Sequence, residues 1–214
     1  MFTPTLASLL VLPGERLNSI THLIGTALAI VGSALLIGHA AEQGDLWKII
    51  GCSVFGATLV VLYAASSLYH SSRGPAKELL RRFDHCAIFL LIAGTYTPFT
   101  LVTLRGALGA SLLAAIWLLA LFGIWRAWRA QDNRDPSPWP YLVMGWLGVV
   151  AAVPLTHELG THGVVWLAAG GLLYTMGILF YLNDTRWTHA HGVWHLFVMG
   201  GSGAHFVTVL YFVV

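Results

Sequence analysis

Long apolar runs separated by short polar breaks set the pattern of this sequence. Seven runs approach the ~20 residues a helix needs to cross the hydrocarbon core of a membrane. They are roughly Ile20–Ala41, Trp47–Tyr69, His85–Leu104, Ala107–Arg126, Tyr141–Thr156, Gly163–Leu182 and Gly192–Val213. At this length only a helix satisfies its own backbone hydrogen bonds in lipid. The pattern therefore predicts an all-α fold: an integral membrane bundle of seven transmembrane helices, with residues 1–214 as a single domain. The fifth run is the shortest. Pro154 near its end is expected to kink it, and Pro98 lies inside the third run, where a kink is tolerated.

The breaks are polar, turn-rich and short. They fall at Glu42 to Asp45, Arg73 to Pro75, Arg105 to Gly106, Asp132 to Pro136, His157 to His162 and Asn183 to Arg186. No large extramembrane domain and no clear repeat is visible. The segment before the first run lacks a basic n-region, and Leu6 to Leu12 is short for a signal core. The expectation is no cleaved signal peptide, and residues 1–16 as a short cytoplasmic lead-in.

Composition supports the membrane class. The chain is 57% hydrophobic and 9% charged, with a mean hydropathy of +0.75. A soluble domain carries about 25% charged residues. Nine Trp and seven Tyr suit interfacial belts. A net charge of +2 is too small to suggest a nucleic-acid partner. Cys52 and Cys86 give no disulfide framework and read as small buried residues.

The basic residues orient the bundle. With alternating faces, the N-terminal face holds Arg16, Arg73, Lys77, Arg81, Arg82, Arg126, Arg129, Arg134 and Arg186; the other holds Lys48 and Arg105. Nine against two predicts the N-terminus in the cytoplasm and the C-terminus outside, at the plasma membrane. The same count favours an odd number of spans.

The candidate chemistry lies at the cytoplasmic ends. His191 and His195 are four positions apart, so on a helix both imidazoles point to one side. The first run opens with Glu15, Asn18, Thr21 and His22, the second closes on Ser66 and His70, and the third opens on Asp84 and His85. Three histidines and a water form the ligand set of an open, catalytic-type zinc site. His70, His191 and His195 make the natural three, although spacing on unpacked helices does not rank His70 against His22 or His85. Asp84 would hold the water, take its proton or orient a histidine. Ser66, one turn from His70, would bond the water or a substrate oxygen.

Plainer roles exist for each. Asp84 could pair with Arg81 or Arg82, or answer the helix dipole. Ser66 could be a packing residue, and His22 could bond Glu15 or Asn18. His205 lies about 15 Å beyond His195 along the helix, too deep to share an ion. His39, His157 and His162 belong at or near the outer face.

Three motifs carry a resemblance across almost the whole chain: Glu15-x-x-Asn18-x-x-Thr21-His22; Ser66-x-x-x-His70 followed by Asp84; and His191-x-x-x-His195. In this order and on these spans, the chain resembles the progestin and adipoQ receptor family, most closely its bacterial hemolysin III branch. The resemblance implies seven spans with the N-terminus inside, zinc on His70, His191 and His195, and Asp84 and Ser66 beside the metal-bound water. Histidines alone do not separate zinc from iron or cobalt, so zinc comes from the resemblance. The wider superfamily includes alkaline ceramidases, which look like intramembrane amide hydrolases with the same residue set.

Two functions follow as expectations. One is zinc-dependent hydrolysis of a membrane lipid amide or ester, with Gly200, Gly201 and Gly203 leaving room for an acyl chain, though helix packing is the commoner reason for such a run. The other is a zinc-stabilised sensor or regulator of membrane state, in which the metal pins the second, third and seventh helices. A transporter fits less well, because the mid-span segments are mostly apolar. Cytolysis is carried by the family's name and by nothing in the residues.

Overall fold

The computed structural model describes residues 14–129 and 136–214. Most of the lead-in before Arg16, and with it Leu6 to Leu12, lies outside the described residues, as do Arg134 and most of the Asp132 to Pro136 break. Every regular element among the described residues is helical. The elements are α1 (Arg16–Glu42), α2 (Leu46–Ser71), α3 (Pro75–Pro98), α4 (Ala107–Arg129), α5 (Trp139–Trp146), α6 (Ala152–Tyr181) and α7 (Ala190–Thr208). A π turn, Phe99–Thr103, extends α3, and another, Val209–Val213, extends α7. A 3₁₀ turn, Leu147–Ala151, joins α5 to α6.

Six stretches are long and apolar enough to cross a membrane, against seven expected, and the chain is a multi-pass membrane protein. The count differs because the fifth and sixth runs join into one 43-residue stretch, Trp139–Tyr181. Within the polar break from His157 to His162 two helical segments meet at a kink, with no loop between them. Only Gly160 leaves helical geometry there, at φ 65°, ψ 176°. An L side chain is strained at that φ, so glycine holds the bend. The stretch then folds back on itself. Tyr181 Oη donates to the Pro136 carbonyl at 2.8 Å, and Trp146 Nε1 donates to Thr175 Oγ1 at 3.0 Å. Those pairings run antiparallel about Gly160. The disruption expected near Pro154 is the 3₁₀ turn Leu147–Ala151 just before it, where proline cannot bond the carbonyl four residues back, and the bend at Gly160 is a separate one.

The third helix corrects a second expectation. It starts at Pro75, not His85, because Gly74 (φ 69°) turns the chain and Pro75 pre-sets the first helical φ. Glu78 pairs with Arg81 and Arg82 one turn on, supporting the polar first turns. Asp84 thus lies inside α3, which removes the helix-dipole reading, and both arginines are engaged by Glu78.

The core is made by α1, α2, α3 and α7 around Leu36, Cys52, Phe55 and Val209, all fully buried. Leu23, Ile24, Leu28, Val31 and Leu35 of α1 point outward, as a lipid-facing surface requires. Cys52 and Cys86 are free and buried. Gly192 lets α7 approach α1 closely, since a Cβ there would collide with the Leu17 side chain. That approach brings His191 and His195 beside the start of α1.

Candidate metal centre

His70 closes α2, while His191 and His195 sit on one face of the first turns of α7. One ring nitrogen of each lies within 4.8 Å of the others. His70 is 2% exposed and His195 0%. His85 is not in the cluster, so the third histidine beside His191 and His195 is His70.

What surrounds the rings fixes their tautomers. His70 Nδ1 meets the Glu15 carboxylate at 2.5 Å. His191 Nδ1 faces the Asp184 carboxylate at 3.3 Å. His195 Nδ1 faces the Asn18 carbonyl at 3.2 Å, with Thr21 Oγ1 at 3.3 Å. Thr21 gives its own hydroxyl proton to the backbone of Leu17 and Asn18. Every partner is an acceptor, so each Nδ1 carries the proton and each Nε2 keeps a lone pair. All three Nε2 atoms are buried and without a hydrogen-bond partner. Buried nitrogens left unpaired are costly. Three such lone pairs converging on one point, each backed by an acceptor on the far side of its ring, are what a cation needs. The triad can hold a metal ion.

Glu15 ties the site to three helices. It accepts from Asn18 at 3.1 Å and from Lys77 Nζ at 2.8 Å besides its bond to His70. Burial pushes its carboxyl up, but the hydrogen bonds from His70 and Lys77 pull harder and leave it at about 2. It is therefore an anion at any ordinary pH.

His22 takes neither role expected of it. It stacks on His195, with ring centroids 3.6 Å apart and planes 9° apart, and meets Tyr63 edge-on at 5.0 Å. Asn18, not His22, donates to Glu15. Asp84 is 5% exposed, and its carboxylate accepts from the Ser66 hydroxyl. Both line a cavity of about 140 Å³ together with His22 and His85. Orientation of His70 falls to Glu15, so of the three roles open to Asp84 that one is taken. His205 donates from Nε2 to the Leu167 carbonyl at 3.1 Å, deep in the bundle and outside the triad. His157 and His162 are exposed, and His39 sits beside Gln43.

Gly200 and Gly201 of the α7 run pack rather than leaving room, and Gly203 is exposed with nothing within 4 Å of a Cβ. A Cβ on Gly201 would meet the Tyr174 ring at 2.8 Å, and one on Gly200 would touch Leu173 at 3.4 Å. Neither these nor Gly203 line the cavity, whose wall is mostly α3 and the α5–α6 hairpin, with Leu62 and Ser66 of α2 and Trp194, Val198 and His205 of α7.

Two supporting residues were not singled out from the sequence for this task. Asp184 sits in a break and Asn18 acts through its backbone. The usable signal is scarcity: with nine acidic residues in the chain, carboxylates that flank a histidine cluster are candidates to orient it.

The sequence is similar to known proteins over most of its length. A family model described as "Haemolysin-III related" matches residues 11–206. The chain is 45% identical over 201 residues to Hemolysin-3 of Bacillus cereus, covering 93% of this chain and 91% of the relative. It is 43% identical over 202 residues to a Hemolysin-3 homolog of Bacillus subtilis (strain 168), covering 94% of each. Monocyte to macrophage differentiation factor of Homo sapiens is 32% identical over 200 residues, 90% of this chain and 81% of that protein. With its helical membrane fold and buried histidine triad, the chain belongs to the haemolysin-III-related family.

Proposed function

We propose that the protein is a metal-dependent hydrolase acting on an amide or ester of a membrane lipid. The observation that carries this reading is the juxtaposition of a metal-ready histidine triad with a buried, hydrogen-bonded Ser66–Asp84 pair at one end of an apolar cavity. A divalent cation held by His70, His191 and His195, zinc by the family resemblance, would polarise a carbonyl and acidify a water. Asp84 takes the proton of the attacking water and delivers it to the leaving amine or alkoxide as the acyl C–N or C–O bond breaks. Ser66 holds that carboxylate in one orientation. The apolar wall excludes bulk water and accepts the acyl chain.

The topology belongs to the same reading. The chain crosses the plasma membrane seven times, with Gly160 dividing Trp139–Tyr181 into two crossings of roughly twenty residues. The N-terminus is cytoplasmic, including the short lead-in before Arg16, and the C-terminus is outside. The fold-back about Gly160 and the nine-to-two distribution of basic residues support this.

A second reading has its own observation. The triad joins α2 to α7, and Glu15 and Asn18 of the α1 start hold the ligands, so the metal would cross-link these helices. A membrane-state sensor would use it structurally. The separating experiment is Asp84→Asn in purified, metal-loaded protein, assayed on a panel of lipid amides and esters. Hydrolase chemistry predicts a rate loss of about 10²- to 10⁴-fold with metal content unchanged. A metal-replete wild type that cleaves nothing on the panel would favour the sensor.

A further inference from the structure

Two adjoining, partly open cavities lie along the α3 and α5–α6 side of the bundle. The first, about 140 Å³, begins at His22, Ser66 and Asp84. The second, about 200 Å³, ends among Phe99, Leu104, Leu112 and Leu155. Both touch Thr95, Tyr96, Gly145, Trp146, Gly171 and His205, which form a waist between them.

Most polar atoms at the waist are already engaged. Thr95 Oγ1 donates to the Leu91 carbonyl at 2.8 Å. Tyr96 Oη donates to the Gly145 carbonyl at 2.8 Å and accepts from the Gly148 N–H at 2.6 Å. Trp146 and His205 Nε2 are bonded across to α6. His205 Nδ1 is enclosed without a partner. The passage therefore presents mainly ring faces and aliphatic carbon, not a row of free donors.

The two glycines at the waist differ from those at helix contacts. A Cβ on Gly145 would meet nothing within 4 Å, and one on Gly171 would meet only the Trp146 indole, at 3.7 and 3.8 Å. Neither has a positive φ. Neither conformation nor packing demands glycine here, and both line the two cavities, Gly145 at an exposed rim and Gly171 half-buried.

His205 stands ten positions beyond His195 on α7, a rise of about 15 Å. A fully extended hydrocarbon built from bonds of ~1.5 Å advances about 1.3 Å per carbon. About twelve carbons therefore separate the triad from the waist. We infer that the waist is a chain-length gauge: it passes the tail of a single long acyl chain into the second cavity, making the protein selective for long-chain over medium-chain lipids. This takes the acyl chemistry from the proposed hydrolase reading, but the gauge itself is read from the cavities.

The test uses full-length, metal-loaded protein in detergent, with decanoic and octadecanoic acid as binding probes and the matching acyl amides as substrates. Gly145→Leu and Gly171→Leu each fill the waist from a different element, with Gly171→Ala as an intermediate step. Metal content and melting temperature report folding in each. Each methylene kept out of an apolar cavity weakens binding about fourfold, so excluding two lowers the octadecanoic-to-decanoic preference by roughly tenfold or more. That fall, graded from Ala to Leu, is expected. An unchanged preference in a folded, metal-loaded Leu variant overturns the gauge, as does a wild type that binds neither acid. A shifted preference without cleavage of any amide keeps the gauge and removes the hydrolase. Cleavage with an unshifted preference does the reverse.

Discussion

The two sides of this bundle are built differently. In Pro75–Thr103, 61% of the most apolar window is buried, whereas in Trp139–Tyr181 only 17% is. On the first side, α1, α2, α3 and α7 close around the triad, and every ligand ring has an acceptor fixed behind it. On the second, the hairpin about Gly160 is a cavity wall held by a few polar ties, such as Tyr96 to the α5 end and Trp146 to Thr175. Val153 on that wall is 83% exposed. A metal site needs fixed geometry, because ligand positions set affinity. A wall for a hydrocarbon chain needs area and little else. The comparison predicts that chemistry and stability depend on the first side, and ligand preference on the second.

The largest effects should follow ligand loss. In His70→Ala, His191→Ala and His195→Ala, metal measured by elemental analysis should fall from about one ion per chain to near none, and melting temperature should drop with it. Each variant should behave alike, because two imidazoles do not complete the site. A variant that kept full metal would place that histidine outside the ligand set and break the contrast at its centre.

Next comes the acceptor shell. Glu15→Gln keeps the shape but removes the charge that His70 Nδ1–H faces. Loss of such a partner typically costs 10- to 100-fold in metal affinity, readable by competition with a chelator. The pH behaviour follows from the sign of its shift. The Glu15 carboxyl is depressed in the fold to about 2, so its contribution is complete above the unfolded value near 4.5 and is lost only as pH falls through about 2. Acid should therefore strip the metal by protonating the histidines while Glu15 is still charged. An affinity that fell in step with carboxylate titration would contradict this.

The extent to which the site was legible in the sequence follows the same division. The apolar runs disclose the helices because lipid leaves the backbone no alternative. His191 and His195 disclose each other because four positions make one face of a helix. His70 needed packing or resemblance, since the rotation of α2 against α7 is set by contacts such as Gly192 on Leu17. The start of α3 was misplaced because its first turns are charged and fall outside an apolar window. The break at His157 to His162 is legible, but its form is not: the backbone of His157, Glu158 and His162 stays helical, and the interruption is a single bend at Gly160. Asn18 was illegible as a partner because its carbonyl does the work, and no side-chain pattern encodes that.

On the hairpin side, Gly160→Ala forces a Cβ into φ 65°, ψ 176°. Backbone in such a region costs of order 1–3 kcal/mol. The expected result is a lower melting temperature with metal affinity unchanged, measured on the same preparation. A fall in metal affinity equal to that of Glu15→Gln would mean that the wall and the triad are one cooperative unit.

The smallest effect should come from the end of the bundle away from the triad. Asp45 caps α2 through the Trp47 and Lys48 amides and reaches Arg105 at 2.7 Å, joining the α1–α2 and α3–α4 turns. The Arg105 hydrogen bond, followed by those amides, holds its carboxyl below the usual range. A depressed folded value means the stabilisation is present above the unfolded value, near 3.8, and disappears as pH falls through the folded one. Asn is also a good N-cap, so Asp45→Asn keeps the cap and removes only the charge pair. Because the pair is solvent-exposed, its loss should lower the melting temperature slightly at neutral pH, less in high salt, and not at all in strong acid. Metal content should not change. If it did, a surface ion pair at the opposite end would be coupled to the triad, and the rigidity assigned here to the four-helix side would have to extend through the whole length of α2.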